Sequence, residues 1–154
     1  MPTLSERFAF VANRLYPRMI DEAGAAVAGS PPVGRLDQLS GQKYCVVVTY
    51  RQNGEPVATP VWFGIGDGQL FFRSLAGTAK VQRIARNEAV LVAPCTIRGR
   101  PLGPAFRGRA QILAAGDAAA AAERWIQSNY GLGRRLYEWA IADADAVYVA
   151  VTPV

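Results

Sequence analysis

The chain has 154 residues, of which 51% are apolar and 19% charged, and its net charge is +5. This length predicts one domain with a core of its own, and the apolar content excludes a disordered chain. The sequence contains no histidine, which excludes a Ser-His-Asp triad, a Cys-His dyad and a histidine-ligated zinc or haem within this chain.

The N-terminal part predicts a helix followed by a linker. Apolar residues recur at spacings of three and four over residues 3–20, which predicts an amphipathic helix that Pro17 would end or kink. A stretch rich in glycine and proline follows from Ala23 to Gly34 and predicts a linker. We therefore expect an N-terminal helix and linker over residues 1–33 and a domain over residues 34–154.

The sequence predicts a cytoplasmic protein that makes no membrane contact. Glu6 and Arg7 interrupt the first turns, unlike a secretory signal peptide, and no apolar run reaches the length of a membrane span. Cys45 and Cys95 lie far apart in apolar runs and have no CxxC partner. We expect two buried free thiols in a reducing compartment, and no metal site.

The rest of the chain predicts an antiparallel sheet with short helices. The turn pairs Asn53-Gly54 and Asp67-Gly68 predict two consecutive hairpins. Helices are expected over residues 77–87, from Asp117 to about residue 130, and over 134–142. A sheet of this length usually curls into a barrel, since closure removes its edges. Six strands are predicted, over residues 44–51, 57–65, 69–74, 89–98, 106–114 and 146–151.

Positive charge is concentrated between Arg73 and Arg109, a stretch with a net charge of +7. Such an excess favours an anionic ligand. Nucleic acid would need exposed aromatic residues among the basic ones, whereas the aromatic residues here lie in core-like strands, so we expect no nucleic-acid partner. Paired strands would bring four arginines together, unless these simply extend into solvent: Arg98, Arg100, Arg107 and Arg109.

A phosphate site is predicted where the strand ending at Ser74 leads into the short basic helix. Thr78 is expected to cap this helix, whose first-turn amides and dipole would favour an anion. Lys80 lies in that first turn, where a cation is unfavourable unless an anion binds, and Arg83 follows on the same face. The alternative is an ordinary capped surface helix whose basic side chains are solvated.

Several short segments occur together in one order, although none is specific alone. They are Lys43-Tyr44, Val48 to Arg51, Asn53 to Phe63, Gly77 to Ile84 with Asn87, Val92 to Cys95, and Arg98-Gly99. In this order, residues 38–114 resemble the pyridoxamine 5'-phosphate oxidase-like proteins, a superfamily of flavin-binding split β-barrels. Within that superfamily they resemble the branch of coenzyme F420 (deazaflavin)-dependent oxidoreductases.

The resemblance implies a fold and a cofactor site. The fold is mainly β (α+β), a six-stranded antiparallel split β-barrel with short peripheral helices, which forms a homodimer with the cofactor at the subunit interface. The resemblance implies that one strand lies beside the cofactor ring through Thr59, Pro60 and Val61. It implies that the phosphate is held by Ser74, Thr78, Ala79, Lys80 and Arg83. It assigns no catalytic residue.

The resemblance also implies an oxidoreductase that uses F420 to transfer hydride to or from a small unsaturated organic substrate. Two alternatives stay open: an FMN-dependent oxidase or reductase on the same scaffold, and a cofactor-binding protein without turnover. A cofactor brings the hydride chemistry itself, which suits a chain without histidine. F420 also carries a tail of glutamates that FMN lacks, and the extra arginines favour F420 for that reason.

Overall fold

The computed structural model describes residues 17–130 and 145–154. Two predicted helices lie wholly or partly outside the described residues. The first, over residues 3–20, is described only from residue 17, and the second, over 134–142, is not described. In chain order the elements are α1 (Pro17–Ala28), a 3-10 helix (Leu36–Leu39), β1 (Cys45–Tyr50), β2 (Pro56–Val61), β3 (Phe63–Gly66), β4 (Gln69–Leu75), α2 (Ala79–Arg86), β5 (Ala89–Pro94), β6 (Phe106–Ile112), α3 (Asp117–Ser128) and β7 (Ala146–Pro153). None of the described helices has the length and apolar character needed to cross a membrane.

The strands form one antiparallel sheet in the order β2-β1-β5-β6-β7-β4-β3. Its first and last strands, β2 and β3, are separated in the chain by Trp62 alone. Because one residue joins the two edges, the sheet must curl round, and it forms a half-barrel. The fold is thus mainly β, as predicted from the sequence.

The predicted count of six strands is wrong, because the described residues form seven. The expected strand over residues 57–65 divides at Trp62: its first half pairs with β1 and its second half pairs with β4. Each half of this strand therefore has one paired edge and one free edge. The free edge of β2 and the free edge of β3 lie on opposite sides of the strand.

The inner face of the half-barrel carries the main core. Alternate residues of β1 and β4, such as Val47 and Phe72, are fully buried there. Burial of each large apolar side chain contributes about 1.5–3 kcal/mol. On the outer face α3 packs on β3, where a Cβ at Gly64 would lie within 2.2 Å of the Trp125 carbonyl oxygen. Glycine at position 64 therefore permits the close approach of this helix.

The prediction of a linker from residue 23 is wrong for residues 23–28, which are helical. This helix packs on the outer face of the sheet, where Val27 is buried. Gly24 lies so near β2 that a Cβ would be 3.0 Å from the Pro56 oxygen. The first described residue of α1 is Pro17, and proline is tolerated in a first helical turn because its missing N–H is not needed there. The boundary between residues 33 and 34 stays a prediction.

The long strand predicted over residues 89–98 ends earlier, at Pro94. The chain then turns, with the Gly99 N–H donating to the Thr96 oxygen at 2.9 Å. Gly99 has a φ of +84°, a left-handed conformation that favours glycine. The turn removes Arg98 and Arg100 from the strand face on which they were expected.

Candidate cofactor site

The two sets of predicted site residues lie on either side of a split in the half-barrel. β3 pairs with β4 so that Phe63 lies opposite Phe72. Continued past Trp62, this register would bring Val61 opposite Ser74, but β2 turns away to pair with β1. β4 meanwhile continues along β7. We call the resulting gap, between the free edge of β2 and residues 74–78, the split.

The end of α3 closes the free edge of β3. The Phe63 N–H donates to the Tyr130 hydroxyl at 2.7 Å, and that hydroxyl donates to the Lys43 carbonyl at 2.7 Å. The Asn129 side-chain amide donates to the carbonyl oxygens of Phe63 and Gln42, each at 3.1 Å. In contrast, the free edge of β2 has no backbone pairing with any described residue, so it can offer peptide groups to a ligand.

Thr78 stands at the N-cap of α2 but does not cap it as expected. Within the described part of the chain its hydroxyl bonds to none of the α2 amides, and lies 3.2 Å from the Ser74 hydroxyl instead. Ser74 is buried, and Ala79, the first residue of α2, is exposed. Two hydroxyls and the uncapped amides of a first helical turn therefore meet at one side of the split. Such a set of donors suits an anion.

Lys80 bends from α2 back towards the core. Its ammonium nitrogen lies 5.7 Å from the centre of the Phe72 ring, and the side chain is partly buried. Burial, and next the positive charge of Arg83, lower the pKa of Lys80 to about 8, although the Cys45 thiol acts in the opposite direction. A cation held in this way is short of compensating negative charge.

Arg83 reaches β1 from the same helix. Its Nε donates to the Thr49 hydroxyl at 2.7 Å, and Thr49 is fully buried. The pKa of Arg83 is lowered by burial first and then by the charges of Arg51 and Arg86. We call Arg51, Lys80, Arg83 and Arg86 the basic cluster.

Among the described residues, the basic cluster forms one ion pair with a carboxylate. Arg51 pairs with Glu55 at 3.0 Å, four residues along the chain. Among residues 17–130 and 145–154, neither Lys80 nor Arg83 forms an ion pair with a carboxylate. Neighbouring unpaired cations repel one another, and a bound anion would relieve that repulsion.

The three residues predicted beside the ring divide between the two faces of β2. Thr59 lies opposite Val47, a residue of the inner face, and Val61 shares that face. Pro60 points to the other face, where a Cβ on Gly99 would lie 3.5 Å from its ring. Thr59 and Val61 therefore face the interior with Thr49, whereas Pro60 can approach the split only through its backbone. Cofactor binding by these residues stays a prediction.

The four arginines expected to crowd together are divided between two places. Arg107 and Arg109 are exposed on the outer face of β6, and Arg109 lies opposite Ala89 at the start of β5. Arg98 and Arg100 come after Pro94, at the other end of β5. Since an extended strand rises about 3.3 Å per residue, they lie roughly 20 Å from Arg109. The expected single patch is therefore not formed.

Sequence reasoning missed three residues of the site: Thr49, Arg51 and Arg86. A signal for Thr49 was present, because it is a polar residue that follows three consecutive valines in a buried strand. No pattern in the sequence indicated that Arg51, which follows a hairpin strand, would lie near a helix about thirty residues later in the chain.

Comparison with known proteins gives a family and a fold. The family model described as pyridoxamine 5'-phosphate oxidase matches residues 36–152. No curated protein matches the chain.

Three solved structures have a similar fold at low sequence identity. A conserved hypothetical protein from Mycobacterium tuberculosis is 17% identical, with a TM-score of 0.57 over 76% of each chain. A FAD-binding protein from Mesorhizobium loti is 17% identical, with a TM-score of 0.55 over 75% of this chain and 82% of that one. An F420 reductase is 20% identical, with a TM-score of 0.50 over 80% of this chain and 96% of that one. Since the family match spans most of the sequence and includes both sides of the split, the chain belongs to the pyridoxamine 5'-phosphate oxidase family.

Proposed function

We propose that this protein is an oxidoreductase that binds coenzyme F420 in the split and transfers hydride to or from a small unsaturated organic substrate. The observation that carries the proposal is the pair Lys80 and Arg83. Both cations lie on α2, the helix that begins directly after Thr78, and neither has a carboxylate partner among the described residues. A pair of uncompensated cations is costly unless an anion completes the site.

The donor set fits a phosphate group. Ser74 and Thr78 would offer hydroxyls, and the first turn of α2, at Ala79, would offer backbone amides. Lys80 and Arg83 would supply the compensating charge. A hydrogen bond to a charged group contributes roughly 1.5–3 kcal/mol, so the loss of one such donor is measurable.

The free edge of β2 suits the ring of the cofactor. Edge peptide groups can hydrogen-bond the polar rim of a planar heterocycle, and Thr59 and Val61 would line its inner side while Pro60 contributes backbone alone. When bound, F420 or FMN supplies the hydride chemistry. The contribution of this chain is to bind the phosphate, orient the ring and keep water from the reacting face.

FMN is the second candidate, because the expected arginine patch is not formed. The phosphate donors are compact, as FMN requires, whereas Arg98 and Arg100 lie at the far end of β5 from Arg109. For F420, the glutamate tail would instead follow Arg51 and Arg86, whose charges act on Arg83. The fold is shared by an F420 reductase and by a FAD-binding protein, which supports a flavin-type cofactor without choosing between them.

We further propose a homodimer with the cofactor at the interface. Leu75, the residue after Ser74, leaves 47% of its surface exposed at the rim of the split. A second copy of the chain would bury this apolar surface and exclude water from the ring. Light scattering of the purified protein at several concentrations tests this proposal, and a monomer at all of them contradicts it.

Titration of the cofactor-free protein tests the function. We expect difference spectra that saturate with F420 or with FMN, and reoxidation of the reduced cofactor by a panel of enones. Binding without reoxidation by any substrate would instead support the third possibility, a cofactor-binding protein without turnover. Absence of binding to F420, FMN and FAD would overturn the proposal.

A further inference from the structure

Thr49 is the exception among the buried residues of β1. The residues before it in β1, Cys45 to Val48, are fully buried and apolar, whereas Thr49 brings a hydroxyl into the same interior at 0% exposure. A buried hydroxyl needs a hydrogen-bond partner, and this one accepts the Nε–H of Arg83 at 2.7 Å. Bonds of this length to a charged donor are among the stronger hydrogen bonds in proteins.

The hydrogen bond from the Arg83 Nε–H to Thr49 also sets the orientation of the guanidinium. The guanidinium is planar and carries its N–H donors in a rigid fork, so a bond at Nε sets the plane of the whole group. The terminal nitrogens of Arg83 then keep one orientation while Nε is held by Thr49. β1 itself is held on both sides, with Thr49 opposite Val57 in β2 and with β5 along its other edge. Thr49 is therefore a rigid anchor.

A purely structural role does not account for this pair. Valine, the residue at the three preceding positions, has the shape of threonine and would need no partner in the core. The hydroxyl instead holds a cation in a cluster where Arg51 and Arg86 already act against its charge. No carboxylate within the described residues pairs with Arg83. An anion bound to the terminal nitrogens of Arg83 would compensate the positive charge that Thr49 holds beside Arg51 and Arg86.

We propose that Thr49 is a positioning residue, which orients the Arg83 guanidinium for the phosphate of the bound cofactor. The inference rests on the proposed function, and it assigns Thr49 a role in affinity that requires no contact with the ligand. Arginine loses much side-chain freedom when it is ordered, so an anchor present before binding removes that loss from the binding step.

The test compares flavins with and without phosphate. Thr49→Val keeps the shape of the side chain and removes the hydroxyl. We expect it to weaken FMN binding by about 2- to 12-fold, the size expected when one ordered, rotamer-rich side chain becomes free. Riboflavin, which has the same ring and no phosphate, should change less than about twofold. Thr49→Ser keeps the hydroxyl and should restore most of the FMN affinity.

Matched controls separate positioning from general destabilisation. Thr152→Val removes another hydroxyl that accepts a side-chain N–H, from Gln69 at 2.8 Å, and lies outside the basic cluster. This variant should bind FMN like the wild type. In an Arg83→Ala background, Thr49→Val should have no further effect on FMN affinity, because the group that it orients is gone.

The outcomes distinguish this inference from the proposed function. FMN binding that is unchanged in Thr49→Val, or that falls equally with riboflavin binding, overturns the positioning role and leaves the function intact. Wild-type protein that binds neither FMN nor F420 overturns both. If the wild type binds F420 and not FMN, the same comparison is made between F420 and its deazaflavin ring without the phosphate. A nuclear magnetic resonance signal of the Arg83 Nε–H, protected in the cofactor-free wild type and lost in Thr49→Val, would support the anchor independently of flavin binding. An unprotected signal in the wild type overturns it.

Discussion

The ammonium of Lys80 on α2 lies over the ring of Phe72 on β4, 5.7 Å from its centre. Phe72 belongs to the main core, so this contact joins the predicted phosphate site to the inside of the half-barrel. A cation over an aromatic face gains about 0.5–2 kcal/mol, which offsets part of the cost of burying the charge. Lys80 is thereby held at the split in the absence of a carboxylate partner among the described residues.

Lys80→Ala should weaken binding of both F420 and FMN by about 10- to 150-fold, the equivalent of one hydrogen bond to a charged group. Fluorescence or calorimetric titration measures the change. Arg107→Ala is the matched control, because it removes one positive charge from the outer face of β6 and should have little effect on FMN affinity. Unchanged affinity for both cofactors in Lys80→Ala would show that the phosphate binds elsewhere.

Cofactor affinity should fall as the pH rises above about 8. Burial and the neighbouring Arg83 lower the pKa of Lys80 to about 8, so the free protein loses this proton near that pH. A phosphate prefers the charged lysine, and affinity should therefore decrease by up to about tenfold per pH unit above 8, until the pKa of the complex is reached.

Lys80→Arg provides the control for this pH dependence. Arginine stays protonated throughout the range, so the decrease above pH 8 should largely disappear in that variant. Titrations with FMN between pH 6.5 and about 9.5 measure the affinity of both proteins on either side of the pKa of Lys80. A wild-type affinity that is level over this range would contradict the assignment of Lys80 to the phosphate.

Lys80→Met should make the cofactor-free protein more stable at pH 7 while it weakens cofactor binding. Because the pKa of Lys80 is lower in the folded protein than its usual 10.5, the charged lysine opposes folding below pH 8. That opposition decreases as the pH rises from about 8 towards 10.5, so wild-type stability should gain a positive slope there. Removing the charge should raise the free energy of unfolding by about 1–2 kcal/mol, measured by urea denaturation. A lower stability for Lys80→Met would mean that the Phe72 contact outweighs the burial cost.

The sequence correctly predicted the turns and the basic helix, which depend on residues close together in the chain. Asn53-Gly54 and Asp67-Gly68 mark the two hairpin turns, and Gly54, Asp67 and Gly68 all have positive φ, as such turns require. The basic helix was predicted over residues 77–87, and α2 covers Ala79–Arg86.

Features that depend on distant partners could not be read from the sequence. The strand divides at Trp62 because the sheet curls round. No feature of the sequence over residues 57–65 distinguishes the half that pairs with β1 from the half that pairs with β4. The contact of Arg83 with Thr49 spans 34 residues and depends on where α2 packs. Local periodicity also failed for residues 23–28, whose glycine and alanine suit a helix packed closely on a sheet.

Tyr130→Phe should destabilise the protein without removing its aromatic packing. The Tyr130 hydroxyl accepts the Phe63 N–H and donates to the Lys43 carbonyl, so it closes the free edge of β3. Phenylalanine keeps the stacking on Trp62, whose ring centre lies 4.9 Å from that of Tyr130, and leaves those two backbone groups without this partner. We expect a loss of about 1–3 kcal/mol, or a decrease in Tm of roughly 3–10 °C for a domain of this size.

The matched control is Asn129→Ala, which removes the neighbouring pair of hydrogen bonds to the Phe63 and Gln42 carbonyl oxygens. If the two side chains close one edge together, the double variant should lose less stability than the sum of the single ones, because the edge opens once. Thermal denaturation followed by circular dichroism measures all three proteins. A Tm of Tyr130→Phe within about 1 °C of the wild type would mean that water replaces the hydroxyl at no cost, and that Tyr130 does not hold the free edge of β3 closed.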